Sequence, residues 1–142
     1  MLKKIVLLLS IYFFISCADN TNLGNCIQTL PLNLVTDLNN PEMINAQTPG
    51  GFALLSGGSK GIVLLNINGN NFVAFDRKCP NENCNSPMTY DKSRYVLKCV
   101  CDYSEYGIYA GIGGAPQSDG FQCPAIEYRV TKNGSTIRIS NF

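Results

Sequence analysis

From Leu32 onward, short apolar runs alternate with turn residues, and the runs are too short for ordinary helices. Leu32 to Asp37 alternates apolar and polar positions and predicts a strand. Asn39-Asn40-Pro41 and Pro49-Gly50-Gly51 are turn signals. Between them, Pro41 to Ala46 has the chain's one claim to a helical turn. Phe52 to Leu55 predicts a short strand, and Ile62 to Leu65 a buried one. Asn68-Gly69-Asn70 is a hairpin turn that returns the chain through Asn71 to Phe75. Met88 to Tyr90 and Tyr95 to Leu97 flank a turn at Asp91-Lys92-Ser93. Gly107, Gly111, Gly113 and Gly114 lead into Ala115-Pro116 and predict an irregular loop. Ile126 to Val130 and Ser135 to Ile139 flank Lys132-Asn133-Gly134 as a last hairpin. The expected class is all-β, a small antiparallel sandwich or barrel.

Composition agrees with that class. The chain has 142 residues, enough for one domain with a modest core. It is 45% hydrophobic and only 15% charged, with few of the residues that favour helices. No internal repeat or low-complexity block is present. A net charge of +1 with no basic patch excludes nucleic acid as an expected partner. The chain contains no histidine, so no histidine-based triad can be built. Asp76, Glu82, Asp91, Asp102 and Glu105 are scattered around the loops, with no acid–base pair assigned by spacing. Gly111-Ile-Gly-Gly114 lacks the lysine and the strand-to-helix setting of a phosphate loop.

The N-terminus has the pattern of a targeting segment. Lys3 and Lys4 precede the apolar run Ile5 to Ile15, which is short for a membrane span and fits a secretory signal. Phe14-Ile15-Ser16-Cys17 resembles a bacterial lipobox, with Phe14 where Leu is usual. That resemblance implies a lipoprotein signal peptide over residues 1–16 and a lipidated N-terminal tether over 17–30 starting at Cys17. The domain then occupies 31–142. The expected location is the bacterial cell envelope, lipid-anchored on the outer membrane or a periplasmic face. The expected partners are the membrane and an unknown envelope protein or ligand. Export also changes the reading of Cys26, Cys79, Cys84, Cys99, Cys101 and Cys123. An even thiol count outside the cytosol suggests disulfides, and six cysteines allow 15 pairings.

Two cysteine loops carry the chemistry. Cys79-Pro-Asn81-Glu-Asn-Cys84 fits C-x-H-x-x-C with asparagine for histidine. Cys99-Val-Cys101-Asp102-Tyr103-Ser104-Glu-Tyr106 fits C-x-C-H-G-S-x-Y with aspartate for histidine and tyrosine for glycine. On these motifs the stretch from about Leu32 to Phe142 resembles the Rieske domain family. Phe72 to Cys79 is similar to the family's strand into the first loop, Gly114-Ala115-Pro116 to its proline-containing loop, and Ile126 to Val130 to its closing strand.

The resemblance implies a Rieske-like barrel with a two-loop cysteine subdomain. It implies Cys79 and Cys99 as ligands of one iron, a loop disulfide between Cys84 and Cys101, and hydrogen-bond donors near the site at Ser104 and Tyr106. The other iron of such a centre takes two histidines, and Asn81 and Asp102 stand in their places. The expected reading is a vestigial cluster site at Cys79, Asn81, Cys99 and Asp102, with no cofactor. Cys79 and Cys99 then form a second disulfide, and Cys26 and Cys123, left over, a third. If Cys99 to Cys101 is extended, both cysteines share a face, and the opposite pairing, Cys79–Cys101 with Cys84–Cys99, is open as well. The function expected is non-catalytic, binding or structural, with Tyr103, Tyr106 and Tyr109 as surface candidates. The alternative is electron transfer by a [2Fe-2S] cluster on Cys79, Cys99, Asp102 and Asn81. Zinc fits the C-x4-C and C-x-C spacings poorly, and no C-x-x-C at a helix N-terminus suggests a thiol oxidoreductase.

Overall fold

The structure is a computed structural model that describes residues 26–81 and 84–141. The segment read as a signal, the lipidation candidate Cys17, Glu82 and Asn83 lie outside the described residues. In chain order come β1 (Asn33–Asp37), a 3-10 turn (Pro41–Ala46), β2 (Phe52–Leu55), β3 (Ile62–Asn66), β4 (Phe72–Asp76), β5 (Thr89–Asp91), β6 (Val96–Lys98), β7 (Glu105–Gly107), β8 (Glu127–Asn133) and β9 (Thr136–Ser140). The first four and last two strands form one curled antiparallel sheet in the order β1-β9-β8-β4-β3-β2. The other three form a small sheet, β5-β6-β7. The expected all-β antiparallel class is borne out. No helix among the described residues is long and apolar enough to cross a membrane.

The packing follows from the apolar pattern. All five residues of β3 are buried, because both faces of that strand are covered. Ile62 and Leu64 enter a core with Met43, Ala46, Ala74, Tyr128, Ile137 and Ile139, inside the curl of the large sheet. Val63 faces the other way, into a second core with Phe75, Met88, Leu97, Tyr106, Ile108 and the sulfurs of Cys79, Cys84 and Cys99. A strand buried on both faces reads as an unbroken apolar run rather than an alternating one, as Ile62-Val-Leu-Leu65 does. β4 works the same way, with Ala74 on the first core and Phe75 on the second. The cysteine subdomain is thus an extension of the main core across β3 and β4.

Turn chemistry sets the hairpins. Between β3 and β4, Asn68 Oδ1 accepts from the amides of Asn70 and Asn71, while Gly69 takes a φ of +88°. Most expected strands appear within a residue or two of their expected ends. The exception is β7. Its residues adjoin the glycine-rich stretch, which predicts a loop. Tyr106 nevertheless pairs with Leu97 on one side and bridges Pro116 on the other. Gly107 N–H donates to the Ala115 carbonyl and Gln117 N–H to that of Glu105. Long-range partners thus make a strand where local composition argues against one.

Candidate functional site

The approach to the first cysteine loop is fixed by a buried carboxylate. Asp76 ends β4 and is fully buried. It accepts from the backbone amides of Ser59, Lys60 and Lys78 and from the Tyr128 hydroxyl, at 2.6 to 3.1 Å. Four donors offset the cost of burying the charge. Burial, followed by the hydrogen bond and charge of Asp76, pushes the Tyr128 phenol well above its usual range. The Lys78 amide precedes Cys79 directly, so this cluster sets the direction in which the loop leaves the sheet. An aspartate at a strand end, before a loop and after the Gly57-Gly58 turn, is the only trace of it in the sequence.

The second loop is a tight turn, not an extended segment. β6 ends at Lys98, and the Cys99 amide donates to the Ser104 carbonyl at 2.9 Å, closing the turn. Tyr103 sits in the left-handed region at φ +60°, where glycine costs least. The family motif has glycine there. Because the segment turns, Cys99 and Cys101 do not share a face as residues of a strand would. The structure pairs Cys79 with Cys99 (Cα–Cα 5.5 Å), Cys84 with Cys101 (6.1 Å) and Cys26 with Cys123 (5.4 Å). Cys79 and Cys99 are fully buried and Cys84 nearly so, whereas Cys101 is exposed. The sulfurs of Cys79, Cys84 and Cys99 all lie within 4.8 Å of one another.

Asn81 and Asp102, at the two histidine positions of the motif, are joined by hydrogen bonds through Tyr106 and Ser104. Asn81 Nδ2 donates to the Tyr106 hydroxyl oxygen. The Ser104 hydroxyl donates to Asp102 Oδ1. Ser104 has a single hydroxyl proton, so in its 2.7 Å contact with Tyr106 the phenol must donate. The chain therefore has one direction: Asn81 to Tyr106 to Ser104 to the Asp102 carboxylate. Ser104 and Tyr106 are fully buried, and burial pushes the Tyr106 phenol up from its usual range. Asp102 Oδ1 also accepts the Ser104 amide at 2.9 Å. Its Oδ2 is buried with no partner among the described residues.

The surface aromatics divide. Tyr103 is 70% exposed, with the Lys98 ammonium 5.6 Å from its ring centroid. Tyr109 is partly exposed and packs on Tyr95. Tyr106 is not a surface residue. Its ring fills the second core, because β7 is the inner strand between β6 and the Pro116 segment.

A large curled antiparallel sheet, a three-stranded subdomain and two cysteine loops at its open end define a Rieske-like fold. A solved structure with this architecture is the ferredoxin of carbazole 1,9a-dioxygenase from Nocardioides aromaticivorans IC177. It is 14% identical, with a TM-score of 0.51, over 79% of this chain and 98% of that one. The complex of reduced oxygenase and oxidized ferredoxin in carbazole 1,9a-dioxygenase is also similar, at 17% identity and a TM-score of 0.47. That match covers 66% of this chain and 82% of the other. No protein-family model matches the chain, and neither does any curated protein.

A Rieske cluster takes two thiolates on one iron and two imidazoles on the other. With no histidine in the chain, the donor set does not fit a cluster of that kind. Asparagine offers iron a weak amide donor, and aspartate a hard anionic oxygen.

Proposed function

We propose that this chain is a non-catalytic, Rieske-like domain of an envelope lipoprotein, in which disulfides stand in place of the iron–sulfur cluster and the role is binding or structural support. One observation carries the reading: the residues at the four ligand positions are engaged with one another. Cys79 is bonded to Cys99, and Asn81 reaches Asp102 through Tyr106 and Ser104. Each bridge typically contributes about 2–4 kcal/mol by restricting the unfolded chain. The proposed anchor is a lipid on Cys17, which places the domain at a bacterial membrane surface. The exposed Tyr103 ring, two residues after Cys101 in the chain, is the proposed contact for an envelope partner or ligand.

The competing reading is electron transfer by a [2Fe-2S] cluster on Cys79, Cys99, Asp102 and Asn81. The unpartnered Asp102 Oδ2 is what favours it. One preparation separates the two. The full chain is expressed in an iron-replete host that assembles clusters and extracted from membranes with detergent. It is then assayed for iron and visible absorbance, and by intact mass after alkylation without reductant. The expected protein is colourless and iron-free, takes up no alkylating agent, and carries a lipid mass on Cys17. Bound iron with two or more alkylated cysteines would replace this reading with the cluster.

A further inference from the structure

The two bridges of the cysteine loops differ in access and adjoin one another. The outer one ends in exposed Cys101. The inner one, Cys79–Cys99, is fully buried. Cys84, the buried half of the outer bridge, has its sulfur within 4.8 Å of both inner sulfurs. Cys101 lies outside that three-sulfur group. A thiol reductant from solvent therefore meets the bridges in a fixed order, and the group it releases first is the one that faces the second bridge.

We propose that these four cysteines form a thiol–disulfide relay, in which a dithiol reductant opens the outer bridge at Cys101 and the freed Cys84 thiolate passes the exchange to the buried bridge. The inference rests on the paired state of the cysteines but not on any binding role.

The steps balance. A reductant thiolate attacks Cys101 Sγ, the Cys84–Cys101 bond breaks, and its electron pair leaves with Cys84 as thiolate. The second thiolate of the reductant attacks its own sulfur in the mixed disulfide. This releases Cys101 thiolate and leaves the reductant as a disulfide, so that two electrons have entered the protein. Cys84 thiolate then attacks one sulfur of the Cys79–Cys99 pair. A bridge to Cys84 forms, the other inner cysteine leaves as thiolate, and no net electrons move. Attack at a sulfur in thiol exchange requires a thiolate and an accessible disulfide. The structure offers Cys84 such a target within the folded protein.

The test uses the full chain with Cys101→Ala, which leaves Cys84 as the one unpaired thiol of the two loops, beside the inner bridge, without any added reductant. At about pH 8, where a thiol of ordinary pKa is partly ionised, peptide mapping after acid quench and alkylation should recover Cys84 bridged to Cys79 or Cys99. Recovery of Cys84 solely as the alkylated thiol, with Cys79–Cys99 intact, would overturn the relay. Cys84→Ala, which leaves Cys101 as the one unpaired thiol of the two loops, should keep the inner bridge unscrambled. A second measurement serves if single variants fold poorly. With limiting dithiol, the inner bridge of the Cys84→Ala/Cys101→Ala variant should open on the order of tenfold or more slowly than in the unsubstituted protein, because exogenous thiol must then wait for local opening of the core. Equal rates would also overturn it. If instead the unsubstituted protein carries iron and free thiols, it is the disulfide-replaced site that fails, which the mapping of the untreated protein reports separately.

Discussion

At the scale of residues, the two histidine positions of the Rieske motif are not idle. Asn81 and Asp102 are the ends of a hydrogen-bond chain whose middle members, Tyr106 and Ser104, are residues the motif retains. With histidines present, the resemblance implies that the same serine and tyrosine hydrogen-bond near the cluster. Here their protons point in sequence toward the Asp102 carboxylate. Tyr103 is a different kind of departure. It replaces glycine at a left-handed φ of +60° and leaves its ring 70% exposed. A left-handed residue other than glycine costs roughly 1–2 kcal/mol, and glycine returns about 0.5–1 kcal/mol of that through the unfolded chain. Tyr103→Gly is therefore expected to stabilise the fold by about 0.5–1 kcal/mol, read as a higher urea midpoint with an unchanged slope. A loss of stability would mean that the ring's contact with Lys98 outweighs the strain.

At the scale of elements, the small sheet is tied together on its solvent side by one arginine. Arg94, in the β5–β6 turn, pairs with Asp91 of β5 at 2.9 Å and with Glu105 of β7 at 2.8 Å. Hydrogen bonds from Ser93 and then Arg94 hold the Asp91 carboxyl at about 2. Arg94 likewise lowers Glu105. A carboxylate held below its unfolded value contributes stability that is complete at neutral pH and is lost as pH falls through the folded value. The window for this cluster therefore runs from the ordinary carboxylate range of about 4 down to about 2. Arg94→Gln is expected to reduce the fall in Tm between about pH 5 and pH 2, with a smaller effect at high salt. An unchanged acid profile would show that these pairs contribute nothing to folding. The hairpin β5–β6 is readable from the sequence, since Asp91-Lys92-Ser93 is a turn signal between apolar runs. β7 is not, because its pairing with β6 and with the Pro116 segment is not encoded locally.

At the scale of the whole molecule, the third bridge holds the N-terminal segment to the loop before β8. Cys26 and Cys123 are separated by 97 residues. Asn141, just after β9, adds hydrogen bonds to the Leu32 amide, Thr29 Oγ1 and the Leu30 carbonyl. A loop of that length should restrict the unfolded chain by about 4–5 kcal/mol on the chain-entropy model. Replacing both cysteines by serine is expected to cost about 2–5 kcal/mol in urea unfolding. The loss should appear chiefly as a lower midpoint, and the inner and outer bridges should still form. A negligible loss would mean that packing and the Asn141 contacts already hold the segment.

The sequence by itself determined the all-β class, most hairpins and the two cysteine loops, because those follow from local periodicity, turn residues and motif spacing. It also determined that no two-histidine cluster can be built, since composition alone removes the ligands. Only the tertiary structure decided which sulfurs meet among the 15 pairings, that Tyr106 is core rather than surface, and that Asp76 is buried among four donors. It alone joined Asn81 to Asp102. Each of these depends on chain segments distant in sequence being brought together on one face or the other of β3 and β4. A side chain's partner is then set by how two sheets pack, which no window of neighbouring residues records.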